Sequence, residues 1–223
     1  MVAAGSGQRL GADVPKAFVK LAGVTLLARS LRMIAALPSI NEVVITVPAG
    51  MEAAARDEIN RLGLTLPVKV IAGGAERQDS VRIALGFTSA EAELVVIHDA
   101  ARPFATAAMF QASLDESARV GAAIVATPLA DTLKRVDQGS ISETVPRAGL
   151  WLAQTPQAFR RGLLLDAHES AVREGLIATD DADLVERMGG TVAVVSGSPL
   201  NLKITTADDL SLAEAIVTSR SLR

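Results

Sequence analysis

Short β-branched runs alternate with segments of helical apolar spacing along this chain, and that alternation limits what it can fold into. Residues 42–47 form a β-branched run that stops at Pro48, and Val68–Ala72 reads as another strand. Between them residues 51–62 carry a helical pattern closed by Gly63. Earlier, residues 25–37 place Leu26, Leu27, Leu31 and Ile34 at helical spacing and end at Pro38. Strands buried on both faces read as near-continuous apolar runs. This order of elements predicts an α/β fold, a three-layer, mostly parallel, Rossmann-like sheet with helices on both faces. In such sheets ligands sit beyond the carboxyl ends of the strands. The length of 223 residues suits one large domain, and no repeat or linker divides residues 1–223.

The first candidate strand end is residues 2–11, Val-Ala-Ala-Gly-Ser-Gly-Gln-Arg-Leu-Gly, with Pro15-Lys16 just beyond. Glycines at 5, 7 and 11 lack a Cβ, so backbone N–H groups can approach a ligand and form a nest for phosphate oxygens. Arg9 adds a planar fork and Lys16 a compact point charge. The spacing fits neither a P-loop nor the dinucleotide fingerprint, whose third glycine would have to come one residue sooner. An ordinary glycine-rich turn is the alternative, and the two cations favour phosphate over it. Only residues 1–4 precede the loop, so either the first strand is very short or residues ahead of it are missing.

Two further strand ends carry charge. After Val68–Ala72 comes Gly73-Gly74-Ala75-Glu76-Arg77-Gln78-Asp79-Ser80, a turn into a helix whose start favours anions. The apolar run Leu94–Ile97 leads into His98-Asp99-Ala100-Ala101-Arg102-Pro103. A charge at a buried strand end needs a partner or a ligand. Asp99 suits a polyol hydroxyl or the neighbourhood of a metal, and Arg102 suits a phosphate. An Asp99–Arg102 ion pair shaping the turn is the alternative.

A helix over Ala107–Val120 and a strand over residues 122–127 continue the pattern. Residues 129–136 and 141–145 then flank Asp137-Gln138-Gly139-Ser140, which predicts a β-hairpin arm within about 129–147. An isolated hairpin is marginal in water, so it should lean on a second subunit or cover its own site. Residues 151–159, with Gln154-Thr155-Pro156-Gln157, read as too polar and too proline-bound for a core strand. Residues 159–174 read as a helix, and Thr179 or Asp180 as the N-cap of the next, with its acids structural. A strand over residues 191–196, a lone Lys203 between apolar residues and a helix over 207–216 complete the chain.

Composition excludes several classes. Without cysteine there is no disulfide, thiolate metal site or cysteine nucleophile, and two histidines cannot build a multi-histidine centre. A net charge of −3 and 3% aromatic residues argue against nucleic-acid binding. No apolar run is long enough to span a bilayer. A cytoplasmic enzyme acting on a small anionic molecule is expected, with no nucleic acid or membrane as partner.

Taken together, the motifs resemble one family. Ala3-Ala4-Gly5-Ser6-Gly7-x-Arg9 with Pro15-Lys16 is similar to the signature loop of sugar-type nucleotidyltransferases. Gly73-Gly74-x-x-Arg77-x-x-Ser80, Val96-Ile97-His98-Asp99-Ala100-Ala101-Arg102-Pro103, Asp131-Thr132, Thr155-Pro156-Gln157, Thr179-Asp180-Asp181 and Lys203-Ile204-Thr205 follow in order. As a set they resemble the 2-C-methyl-D-erythritol 4-phosphate cytidylyltransferase family over nearly the whole chain. The resemblance implies Mg²⁺-dependent transfer of CMP from CTP to methylerythritol phosphate, with the ion bound mainly through the CTP phosphates and no protein ligand assigned to it. It implies catalytic roles for Arg9 and Lys16, and nucleotide binding by Ala3, Ala4, Gly5, Gly7, Gly74, Ala75, Arg77 and Ser80. It implies that Asp99, Arg102, Thr132, Arg147, Thr155, Thr179 and Lys203 hold or orient the methylerythritol phosphate. The hairpin would be a dimerisation arm, so Thr132 and Arg147 would serve the partner's site of a homodimer. The family's longer leading strand, often with proline where Val2 stands, is the one departure. A ribitol-5-phosphate cytidylyltransferase of the same fold, the cytidylyltransferase part of a bifunctional synthase, and a non-catalytic nucleotide-binding module are the competing readings.

Overall fold

A computed structural model describes residues 1–5, 7 and 14–221 of the protein. A short 3-10 helix, Lys16–Phe18, leads into a small antiparallel pair, β1 (Lys20–Leu21) and β2 (Val24–Thr25). Helix α1 (Leu26–Ala35) starts where Thr25 Oγ1 accepts the Ala28 N–H at 3.1 Å, an N-cap that satisfies one of the helix's orphan donors. Strand β3 (Val43–Val47), helix α2 (Glu52–Asn60), strand β4 (Val68–Ala72), helix α3 (Arg77–Leu85) and strand β5 (Leu94–Ile97) follow the expected alternation. Helix α4 (Ala107–Val120), strand β6 (Ala122–Pro128), the hairpin β7 (Leu133–Asp137) and β8 (Ser140–Val145), strand β9 (Trp151–Arg160), helices α5 (Arg161–Glu174) and α6 (Asp181–Arg187), strand β10 (Val192–Ser196) and helix α7 (Ala207–Ser221) complete it.

β3 and β4 pair in parallel. Residue 2 joins them to the rest of the sheet, since Val2 bridges Thr46 and Asp99, both in parallel sense. Ladder bonds run from Val2 N to His98 O and from Ala3 N to Thr46 O, both at 2.8 Å. Beyond β5 the strand order is β9, β6, β10, with β6 and β10 parallel and β9 antiparallel to both its neighbours. The sheet is therefore mostly parallel, as expected, with β9 the exception.

The position of β9 corrects the expectation that residues 151–159 stay out of the core. It runs between β5 and β6, and its residues 154–159 are buried. Its polar side chains are tolerated there because they find partners. Gln154 Nε2 donates to Ser198 O at 2.9 Å, and Gln157 Nε2 donates to Asp180 Oδ2 at 2.8 Å. Pro156, preceded by a cis peptide bond, sits where the β6–β9 register shifts between Ile124 and Ala126, so its missing N–H interrupts no regular ladder. Because β9 reaches Arg160, α5 begins two residues later than expected.

Helices cover both faces. Leu27, Leu31 and Ile34 of α1, Ala55 and Ile59 of α2 and Phe110 of α4 pack on Val43, Ile45 and Val47. On the opposite face Val81 and Leu85 of α3, Leu164, Ala167 and Ala171 of α5 and Leu184 and Val185 of α6 pack with Val95, Ile97, Ala122 and Phe159. A third cluster, with Leu21, Leu26, Phe104, Ile204 and Ala213, ties α7 to the β1–β2 pair. The hairpin arm is exposed along almost its whole length. Gln138 and Gly139 both have positive φ, 48° and 81°, the backbone of a two-residue type I′ turn.

Candidate active site

The carboxyl ends of the strands converge on a cleft of about 350 Å³. Its lining joins Ala4 and Gly5 after the N-terminal segment, Lys16, the Gly74–Ser80 turn after β4, Asp99 and Ala101 after β5, and Lys203 ahead of α7. These are the strand ends at which ligands bind in open α/β sheets. A larger cleft, about 840 Å³, opens toward the opposite ends of β3 and β5. Its charged lining residues are all acids, Glu42, Glu91, Glu93 and Asp115, so it repels the anionic ligand that the strand-end loops suit.

The glycines hold their positions for different reasons. A Cβ on Gly74 would lie 2.3 Å from Asp79 Cβ, so the turn after β4 closes only without one. A Cβ on Gly73 would lie 2.5 Å from Ala4 Cβ, which sets how closely this turn approaches the N-terminal segment. Gly5 is different, because a Cβ there would meet no atom of the described residues within 4 Å. It lines the cleft, where a ligand can approach the backbone. Gly7 has φ 74° and packs on Lys16, whose Cβ would be 3.0 Å from an added Cβ.

Electrostatically the site is built on Asp99. Its Oδ2 accepts from Lys203 Nζ at 2.7 Å and its Oδ1 from Arg77 Nε at 3.2 Å. Burial alone would raise the Asp99 carboxyl, but Arg77 and Lys203 outweigh it and hold the group well below the usual carboxylate range. Arg77 also donates through Nη1 to Asp181 Oδ2 at 2.7 Å, and Asp181 in turn accepts from His168 Nε2 at 3.1 Å. Burial would lower the Arg77 guanidinium, yet Asp181 and Asp99 together hold it above its ordinary value. Behind Asp99, its own N–H donates to Thr155 Oγ1 at 3.0 Å, and that hydroxyl lies 3.0 Å from His98 Nδ1. Burial pushes the His98 imidazole down to about 3, so the ring is neutral near pH 7.

The structure brings together Ala4, Gly5, Lys16, Gly74, Ala75, Arg77, Ser80, Asp99 and Lys203 from the sequence-derived set. Ala3 is buried and its N–H serves the sheet. Ser80 is buried too, with Oγ accepting from Gly74 N and donating to Glu76 O, both at 3.1 Å, so its hydroxyl shapes the turn. Arg102 does not form the ion pair with Asp99 that the spacing allowed. It donates instead to Asn201 O at 2.8 Å and Ala153 O at 3.3 Å. Thr155 acts on Asp99 through the backbone, and Thr179 is exposed one residue ahead of Asp180, the observed N-cap. Thr132 is exposed at the base of the arm, and Arg147 Nη1 donates to Ala130 O there, so neither lines the cleft within one chain. Arg9 lies outside the described residues. Sequence reasoning missed the role of Asp181, reading it with the helix-capping acids. The available signal was its place with Leu184 and Val185 on the buried stripe of α6, where a carboxylate needs a partner.

A glycine-lined cleft at the carboxyl edge of a mostly parallel sheet, with Lys16, Arg77 and Lys203 converging on it, defines a nucleotidyltransferase of the α/β class. Comparison with known proteins narrows this. The sequence profile of 2-C-methyl-D-erythritol 4-phosphate cytidylyltransferase, IspD, matches residues 1–219, and the chain belongs to that family. It is 50% identical over 214 residues to the Deinococcus radiodurans protein of that name, covering 96% of this chain and 86% of the relative. The crystal structure of the Thermus thermophilus cytidylyltransferase superimposes with a TM-score of 0.83 at 37% identity, covering 97% of each chain. A bifunctional IspD/IspF enzyme of Anaeromyxobacter dehalogenans is 44% identical over 221 residues, 97% of this chain and 56% of that protein. Among the described residues no helix is long and apolar enough to cross a membrane.

Proposed function

We propose that the protein transfers CMP from CTP to 2-C-methyl-D-erythritol 4-phosphate, releasing pyrophosphate and forming 4-diphosphocytidyl-2-C-methyl-D-erythritol for isoprenoid precursor synthesis. The observation that carries this reading is the convergence of the Gly5 and Gly74 turns with the Asp99–Lys203 pair in one cleft, in a chain of this family. A phosphate oxygen of the acceptor attacks the α-phosphorus of CTP. The new P–O bond forms as the bond to the bridging oxygen breaks, and that electron pair leaves with pyrophosphate. The acceptor is already an anionic nucleophile, so no general base is needed, and catalysis consists of positioning and charge stabilisation.

In this scheme the backbone at Gly5 and Gly74 cradles the nucleotide, and Lys16, with Arg9, stabilises the charge that builds on the five-coordinate phosphorus. Asp99 accepts from an acceptor hydroxyl and Lys203 holds the acceptor phosphate. Of the described residues lining the cleft only Asp99 and Glu76 carry carboxylates, and both oxygens of Asp99 face cations. Among the described residues no three acid or histidine side chains cluster as a metal cage. In this scheme a Mg²⁺ ion would be held mainly through the CTP phosphates, with no side chain of the cleft assigned to it, and would supply positive charge to the phosphate oxygens.

The same reading includes a homodimer formed through the arm. Val136 and Ile141 are exposed apolar residues on the hairpin, and Trp151 and Leu152 on the strand that follows it, a surface suited to a second copy of the chain. Thr132 and Arg147, at the arm's base, would then complete the partner's cleft. The reaction belongs, on this reading, to the cytoplasm, where CTP is available. Incubation with CTP and Mg²⁺ and either methylerythritol phosphate or ribitol 5-phosphate tests the function. Pyrophosphate release with the first acceptor is expected, and release with only the second would overturn the reading.

A further inference from the structure

The cleft has a buried support behind it that the proposed reaction does not use directly. Asp181 lies 104 residues beyond Arg77 in sequence, yet it makes the shorter of that arginine's two ion pairs, 2.7 Å against 3.2 Å to Asp99. Its side chain is 1% exposed, as is that of His168, which donates to its other oxygen. Asp181 therefore has one oxygen on a guanidinium and one on an imidazole, each carried by a separate helix, α3 and α5. A planar guanidinium that meets two carboxylates at fixed positions has little rotational freedom.

We propose that Asp181 is a positioning residue of the active site. Backed by His168, it anchors Nη1 of Arg77, so that Nε presents itself to Oδ1 of Asp99 and leaves Oδ2 to Lys203. The chain of contacts runs from His168 to Asp181, Arg77, Asp99 and Lys203 and fixes the acceptor-binding pair. Without the Asp181 charge, Arg77 keeps one carboxylate partner and can rotate to take both oxygens of Asp99. Lys203 then loses its 2.7 Å contact, and the pair no longer matches the acceptor.

This inference rests on the acceptor role proposed for Asp99 and Lys203. In Asp181→Asn the KM for methylerythritol phosphate should rise about tenfold or more, in line with the cost of misplacing a site group, while kcat per folded site changes by less than about threefold. In an Arg77→Met background the same substitution should have no further effect, because its route to the site is gone. A merely structural role would lower the folded fraction and leave the acceptor KM alone, or would add to Arg77→Met; either result overturns the proposal. The Arg77 Nε–H resonance, followed by ¹H–¹⁵N NMR, gives a readout that needs no turnover, and it should shift in Asp181→Asn. An unshifted resonance also overturns the positioning role. A wild-type enzyme inactive on this acceptor would instead defeat the proposed function and leave the NMR test standing. Should Asp181→Asn fail to fold, His168→Gln keeps both charges and carries the same test, with a smaller rise in acceptor KM expected and an unchanged KM overturning the idea.

Discussion

Lys203 Nζ lies 2.7 Å from Asp99 Oδ2, joining the loop ahead of the last helix to the tip of β5. The carboxylate is buried and the ammonium partly exposed, with side-chain exposures of 8% and 37%. Arg77 holds the other oxygen, so the aspartate is shared and is not the property of one cation. Replacing Lys203 with Met should lower kcat/KM for the acceptor about 10²-fold, the scale expected when a charged positioning group is lost. Exchanging the two charges, Asp99→Lys with Lys203→Asp, should not restore activity, because the new lysine would face Arg77. Steady-state pyrophosphate release measures both.

Lys16 should separate binding from chemistry. Lys16→Ala is expected to reduce kcat about 10²-fold or more while CTP affinity, measured by calorimetry, changes far less. Arg9→Ala should behave alike, and near-normal turnover in either variant would remove these residues from the mechanism.

Acid should weaken the fold through His98 and Asp99. The imidazole is a base whose folded value, about 3, lies below its ordinary 6.5. Between those values the unfolded chain binds a proton that the folded chain does not, so stability falls as the pH drops, by roughly 1.4 kcal/mol per pH unit. Asp99 adds its share at lower pH, since its folded carboxyl lies below the ordinary range and its stabilisation disappears as the pH falls through that range. Urea unfolding of His98→Asn from pH 7 to pH 4 should give a flatter curve than the wild type.

Two glycines of the cleft should respond differently to the same change. In Gly74→Ala the new methyl would sit 2.3 Å from Asp79 Cβ, so about 1–3 kcal/mol of stability should be lost. In Gly5→Ala it would meet no atom of the described residues within 4 Å, so the melting temperature should hold while CTP binding weakens. Thermal melts with and without CTP distinguish the two.

The arm should govern association. Ile141 is 65% exposed on the hairpin, and a charge placed there cannot be buried without a partner. Ile141→Glu should shift a dimer to a monomer in light scattering and leave the circular dichroism of the sheet unchanged.

The strands that were legible in the sequence were those with short, mostly β-branched or apolar runs. Val68–Ala72 and Leu94–Ile97 have the expected bounds because such a run suits a pleated, half-buried strand. The tip motifs were legible for a related reason: charged residues directly after such runs must stand at the sheet edge, and Asp99 does. β9 was not legible, because Gln154, Thr155 and Gln157 are acceptable inside only when Ser198, Asn201, His98 and Asp180 meet them. None of those partners is a sequence neighbour.

The sequence by itself determined the α/β alternation, the glycine turns and the residue types gathered at the strand ends. Apolar periodicity and the missing Cβ are local properties, and they act wherever the chain goes. Only the tertiary structure decided which charges meet. It gave Asp99 to Arg77 and Lys203 in place of Arg102, turned Arg102 to backbone carbonyls, and set Asp181 behind the site. A buried charge takes its value from whatever folding places within a few ångströms, and here folding brings those partners from distant parts of the chain.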